Sequence, residues 1–139
     1  MSVPHRLIVN VDGGSRGNPG PAAIAAVIAT PDGELLEELG ERIGEATNNV
    51  AEYRAVLLGL ERARALGARE VELIGDSELI VRQVHGEYKV KDETLRGLRD
   101  QVDRALREFD RWSLRHVRRE DNEAADLLVN AALDAPDDG

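Results

Sequence analysis

The stretch Leu7-Ile8-Val9-Asn10-Val11-Asp12-Gly13-Gly14-Ser15-Arg16-Gly17-Asn18-Pro19-Gly20-Pro21-Ala22-Ala23-Ile24 decides the fold. Leu7 to Val11 is an apolar run of strand length, and Asp12-Gly13-Gly14 is expected to end it. Arg16 to Pro21 reads as a turn-rich loop. Ala22 to Thr30 follows as a second strand, rich in small residues and broken by Pro31-Asp32-Gly33. Glu34 to Ile43 is a third strand whose polar interruptions put it near a sheet edge. Three successive strands joined by short turns predict an antiparallel meander.

Beyond the meander the period changes. Asn49 to Leu66 has helical spacing and stops at Gly67. Glu70 to Gly75 is a fourth strand, and Ser77 to His85 a short helix. Lys91 to Phe109 carries Leu95, Leu98, Val102 and Leu106 on one helical face. Trp112 to Val117 is a fifth strand, and Glu123 to Leu133 a last helix. Alternating strands and helices require parallel crossovers, which are right-handed. The chain is therefore expected to be α/β, a mixed five-stranded sheet flanked by helices. Residues 1–135 read as one domain and 136–139 as a polar tail.

At 139 residues the chain can bury a core without staples. It has no cysteine, which excludes disulfides and Cys-based zinc sites. No apolar run reaches the roughly 18 residues needed to span a bilayer. Residues 1–6 lack a signal-peptide pattern. A soluble, cytoplasmic monomer without a membrane partner is expected. The net charge of −9 argues against coating nucleic acid by bulk attraction. Any nucleic-acid contact must be local, through a small basic patch, neutral donors or bound cations.

Four acidic residues stand where the pattern calls for apolar ones. Asp12 and Asp76 follow the apolar first and fourth strands. Glu52 shares a helix face with Val56, Gly59 and Ala63, and Asp126 shares one with Val129 and Leu133. Each has a plain local explanation: a turn residue at Asp12, a helix start at Asp76-Ser77, a capping box at Asn49-x-x-Glu52, a favourable dipole at Asp126. All four holding together is a poorer account than convergence on one site. Carboxylates facing a core are costly unless their charge is compensated, and a divalent cation does so. Oxygen-only ligands favour Mg²⁺ or Mn²⁺ over zinc. Such a cluster suits phosphoryl chemistry with two ions about 4 Å apart.

The run from Val11 to Pro21 resembles the opening motif of type 1 ribonucleases H. Thr47-Asn48-Asn49-Val50-Ala51-Glu52 is similar to the T-N-N-x-x-E helix start of that family. Asp76-Ser77-Glu78 matches its D-S-x, and Arg119-Glu120-Asp121-Asn122-Glu123-Ala124-Ala125-Asp126 its R-E-x-N-x-x-A-D ending. The resemblance spans nearly the whole chain in the family's order. It implies a ribonuclease H-like fold, with the first three strands antiparallel and the first, fourth and fifth parallel. It also implies metal-dependent, sequence-independent endonucleolytic cleavage of the RNA strand of RNA/DNA hybrids, yielding 5′-phosphate and 3′-hydroxyl ends. Asp12, Glu52, Asp76 and Asp126 take the metal-binding and catalytic positions, for two Mg²⁺ or Mn²⁺ ions. Asn18, Asn48 and Asn49 take the positions of groups that contact the hybrid, and Thr47 that of a phosphate contact to the DNA strand. The backbone at Gly13, Gly14 and Ser15 would approach the RNA, where the 2′-hydroxyl distinguishes it from DNA. Glu78 stands where several relatives carry a glutamine touching RNA.

An auxiliary residue is expected at Arg119 rather than His116, because Arg118-Arg119-Glu120-Asp121-Asn122 resembles the branch in which an arginine serves. His85 to Lys91 is short, and the basic protrusion of longer relatives is missing, leaving Lys89 and Lys91. Weak substrate binding with steep dependence on salt and metal follows. Trp112 reads as core or rim, and Tyr88 as the better stacking residue. The rival reading is a non-catalytic hybrid-binding module of a larger protein; a nuclease or integrase sharing the fold is a third.

Overall fold

The computed structural model describes residues 5–136. Of the tail expected at 136–139, only Pro136 falls within them. Strands β1 (Arg6–Ser15), β2 (Gly20–Ala29) and β3 (Leu35–Ala46) form the meander. Helix α1 (Asn48–Ala65), strand β4 (Glu70–Gly75), helices α2 (Glu78–Val84) and α3 (Glu93–Leu106), strand β5 (Arg111–His116) and helix α4 (Glu123–Asp134) follow. A 3₁₀ turn over Arg119–Asn122 leads into α4. The sheet order is β3-β2-β1-β4-β5, with β1 antiparallel to β2 and parallel to β4. The remaining pairs are β2–β3, antiparallel, and β4–β5, parallel. The mixed sheet, its pairing and the edge position of β3 are as the sequence implies.

The first strand does not stop at Asp12-Gly13-Gly14. It runs to Ser15, pairing Asp12 with Ala25, Gly13 with Ile24 and Gly14 with Ala23. Ladder hydrogen bonds to β2 outweigh the weak strand preference of glycine. The turn starts only at Arg16, whose N–H donates to the Pro21 carbonyl at 2.8 Å. Asp12 thus lies within a central strand instead of at its end.

The two faces of the sheet are filled differently. Leu7, Val9 and Val11 alternate towards α1, in a core with Tyr53, Leu60, Leu73, Ile80 and Val102. Gly59 lets α1 sit close, since a Cβ there would lie 2.7 Å from the Val11 Cγ1 and 2.8 Å from the Val9 Cγ1. On the opposite face Ala23 and Ala25 pack against Ala125 and Val129 of α4. Their small side chains bring α4 close to β1 and β2. Asn10, Asp12 and Gly14 share this second face by strand alternation. Among the described residues no helix is long and apolar enough to cross a membrane.

Candidate active site

Four elements deliver the acidic residues. Asp12 comes from the middle of β1, Glu52 from the second turn of α1, Asp76 from the residue after β4, and Asp126 from the first turn of α4. All four line one cleft of about 210 Å³, with Gly13, Gly14, Ser15, Arg16, Asn48 and Arg119 among its other walls. Among the described residues, no three His, Asp or Glu side chains are drawn around a single point that would hold one ion. The carboxylates share a cleft without being gathered into a single cage.

Their crowding shows in their electrostatics. Burial, then Asp76 and Asp126 and a hydrogen bond with Asp76, then Glu52, push the Asp12 carboxyl up to about 8. Every one of these influences disfavours its charge. Burial also raises Glu52, and Asp76 adds to it, while hydrogen bonds from Ser77 and Asn48 and the nearby Arg119 oppose the shift. The Asn48 Nδ2 donates to the Glu52 Oε1 at 3.1 Å. Arg119 Nε lies 3.9 Å from the Asp76 Oδ2, with Asp76 only 11% exposed and Arg119 largely in solvent. Like charges this close, one of them unrelieved by any cation, fit a site built for divalent metal, and hard carboxylate oxygens fit Mg²⁺ or Mn²⁺.

The local scaffold is exacting. A Cβ at Gly13 would stand 2.2 Å from the Ala51 carbonyl oxygen and 2.8 Å from the Glu52 nitrogen. Gly13 is therefore required so that the start of α1 can cross β1 and set Glu52 beside Asp12. That is a different reason from the approach of nucleic acid inferred above. The helix is capped by Thr47, whose Oγ1 accepts from the Val50 N–H at 3.2 Å, so the capping box weighed above as the plain explanation of Glu52 does not form. Being N-cap frees Glu52 from capping and leaves it to the cleft.

A family model described as reverse transcriptase-like matches residues 10–132. Ribonuclease HI of Halobacterium salinarum is 48% identical over 129 residues, covering 93% of this chain and 65% of that protein. The crystal structure of RNase H1 from that archaeon has a TM-score of 0.91 at 46% identity, covering 93% of this chain and 98% of the other. The chain belongs to the type 1 ribonuclease H family. The bifunctional protein Rv2228c of Mycobacterium tuberculosis is 45% identical over 131 residues, 94% of this chain but 36% of that protein. LC11-RNase H1, solved in complex with an RNA/DNA hybrid, has a TM-score of 0.87 at 45% identity, covering 92% of this chain and 96% of its own. The chain thus spans 65% and 36% of the lengths of these two curated relatives.

The asparagines of the ribonuclease H motifs are engaged within the protein. Asn18 Oδ1 accepts from the Asn48 N–H at 3.0 Å, and Asn48 Oδ1 accepts from the Ser15 N–H at 3.3 Å. They tie the β1–β2 turn to the start of α1. Gly14 lies against Val129 and Asn48 on the cleft wall, and Asn49 is half-buried in the first turn of α1. Glu78 is exposed and pairs with Arg82 at 2.9 Å. Arg119 lines the cleft, whereas His116 is exposed at the end of β5. Trp112, 39% exposed, stacks on His85 at 5.8 Å between ring centres, a rim position. Tyr88 is exposed with the Arg82 guanidinium over its ring.

Sequence reasoning missed Asn122. It is buried, donating from Nδ2 to the Val11 carbonyl at 2.8 Å and accepting at Oδ1 from Asn10 Nδ2 at 2.9 Å. This amide fastens the start of α4 to β1 beside Asp12. The signal was present in Asn10, a lone polar residue inside an apolar strand.

Proposed function

We propose that this chain hydrolyses the RNA strand of RNA/DNA hybrids endonucleolytically, without regard to base sequence, leaving 5′-phosphate and 3′-hydroxyl ends. The supporting observation is that Asp12, Glu52, Asp76 and Asp126, from four separate elements, line one cleft in a member of the ribonuclease H family. The hybrid complex of LC11-RNase H1 supports the choice of substrate. These four carboxylates would hold two Mg²⁺ or Mn²⁺ ions, which when bound activate the attacking water and stabilise charge on the phosphodiester.

The protein's own groups do the positioning. Asn48 and Ser77 orient the Glu52 carboxylate, and Asn122 keeps β1 and α4, hence Asp12 and Asp126, in fixed relation. Arg119 offers a largely solvent-exposed guanidinium next to Asp76, free to neutralise phosphate charge as it develops. The walls at Gly14 and Ser15 bring backbone to the substrate, and contacts to backbone and 2′-hydroxyl carry no base identity. This supports cleavage independent of sequence.

The test is a panel of end-labelled hybrid, double-stranded RNA, double-stranded DNA and single-stranded RNA, each with Mg²⁺ or Mn²⁺. Only the hybrid should be cut, and Asp76→Asn should lose more than the ~100-fold typical of removing a ligand's supporting partner. Cleavage that survives this substitution, or that continues in EDTA, rules the mechanism out. The partial coverage of the curated relatives favours one second reading, a hybrid-binding module within a larger protein. Tight hybrid binding without turnover in any metal would select it.

A further inference from the structure

We propose that Arg16 is a positioning residue that grips a backbone phosphate of the hybrid beside the cleft, exchanging its resting partner Asp134 for that phosphate when substrate binds; this rests on the hybrid-cleaving reading above. Arg16 and Arg119 are the basic residues among those lining the carboxylate cleft. Arg119 stands next to Asp76. Arg16 enters from the β1–β2 turn, its Nη1 2.6 Å from the Asp134 Oδ1 and its Nη2 3.5 Å from the Asn130 Oδ1.

The backbone beneath Arg16 is fixed. Its N–H donates to Pro21, and its carbonyl lies where a Cβ on Gly20 would come within 2.4 Å. Gly17 supplies the positive φ of 123° that closes the turn, and Asn18 ties it to Asn48. The guanidinium is anchored on α4, the helix that carries Asp126. Asn130 itself donates to the Asp126 carbonyl at 3.1 Å. Asp134 lies eight residues beyond Asp126, about 12 Å along a helix. With strands rising about 3.4 Å per nucleotide, that distance is a few nucleotides from the metal-binding carboxylates.

The resting pair is easily given up. The Arg16 side chain is 45% exposed and that of Asp134 65%, and solvent screens such pairs strongly. A phosphate offers the same fork-shaped guanidinium two oxygens and more charge. In a chain of net charge −9, a cation on the wall of an acidic cleft is where a polyanion gains most. Phosphate contacts of this kind fix register without reading sequence.

The experiment measures cleavage kinetics and, in EDTA, hybrid binding by fluorescence anisotropy across 50–200 mM salt. It compares the full chain with Arg16→Ala, Arg16→Lys and Asp134→Ala. Arg16→Ala should raise KM and Kd about tenfold at low salt, leave kcat within twofold, and flatten the slope of log affinity against log salt by about one. Arg16→Lys should recover part of the affinity, and Asp134→Ala should bind at least as tightly as the unsubstituted chain. Unchanged Kd and slope in Arg16→Ala overturn the proposal. So does a matching loss in Asp134→Ala, or a fall in kcat with a lowered Tm and unchanged KM, because the arginine would then serve only to tie down α4. If the unsubstituted chain binds hybrid but cuts none, the functional reading fails while the binding arm still tests Arg16.

Discussion

Asp12 is the residue on which the cleft's electrostatics weigh most, since burial and three neighbouring carboxylates all oppose its charge. Without metal the folded protein must keep this carboxyl protonated well above the pH at which it ionises in the unfolded chain, a cost that grows as pH rises towards about 8, and a neutral side chain should relieve it. Asp12→Asn is expected to abolish cleavage yet stabilise the metal-free protein by about 1–2 kcal/mol, the usual gain when a functional site is relaxed. Thermal unfolding in EDTA reads the gain directly. Adding Mg²⁺ should raise the Tm of the unsubstituted chain and not that of Asp12→Asn. Equal metal shifts in both proteins would remove Asp12 from the ligand set. Arg119 and His116 make a second comparison at this scale. Arg119 borders the cleft 3.9 Å from Asp76, while His116 lies exposed at the end of β5. Arg119→Ala should lower kcat by about 10- to 100-fold, the range for removing one charge-stabilising donor or supporting partner. His116→Ala should stay near the unsubstituted rate, and a larger loss in the histidine variant reverses the assignment.

At the scale of elements, the site depends on two close crossings. The first is α1 over β1 at Gly13, where any Cβ meets the Ala51 carbonyl. Gly13→Ala should cost about 1–3 kcal/mol, as overpacking does, and displace Glu52 with it. Urea unfolding gives the first quantity and Mg²⁺-dependent turnover the second; a stable, fully active variant contradicts the crossing. The second is α4 against β1, held by Asn122. Truncation to alanine leaves the Val11 carbonyl and the Asn10 amide without their partner, at about 1–3 kcal/mol. These crossings show what local pattern could not supply. The glycines after Asp12 read as a strand end because glycine usually punctuates, and only their pairing with Ala23 and Ile24 of β2 makes them strand. The cap of α1 could not be settled from the sequence for a related reason. Thr47 and Asn49 are both good cap residues, and the backbone geometry that selects Thr47 is set by where β3 ends, at Ala46. Glu52, which lines the cleft, was nonetheless legible as an acidic residue out of pattern, because its helix face is otherwise Val56, Gly59 and Ala63.

At the scale of the whole molecule, the sheet order could be read because turn signals and period changes constrain topology more tightly than they constrain boundaries. The charge of the whole was legible too, since it depends on composition alone. What composition could not give is where the few cations stand. Arg16 and Arg119 line the cleft, and Lys89 and Lys91 lie exposed in the segment between α2 and α3. Among the chain's 18 lysines and arginines, these four are the ones we assign to phosphates, by their place on the cleft wall or in that segment. Each phosphate contact contributes about −0.9 to the slope of log affinity against log salt. Four contacts imply a slope of about −3.6, hence roughly a hundredfold weaker hybrid binding at 200 mM monovalent salt than at 50 mM. Anisotropy titrations in EDTA should show this slope, and Lys89→Ala with Lys91→Ala should reduce its magnitude by about two. A slope near zero would mean that the polyanion is held by neutral donors alone, and that the arginines on the cleft wall meet no phosphate.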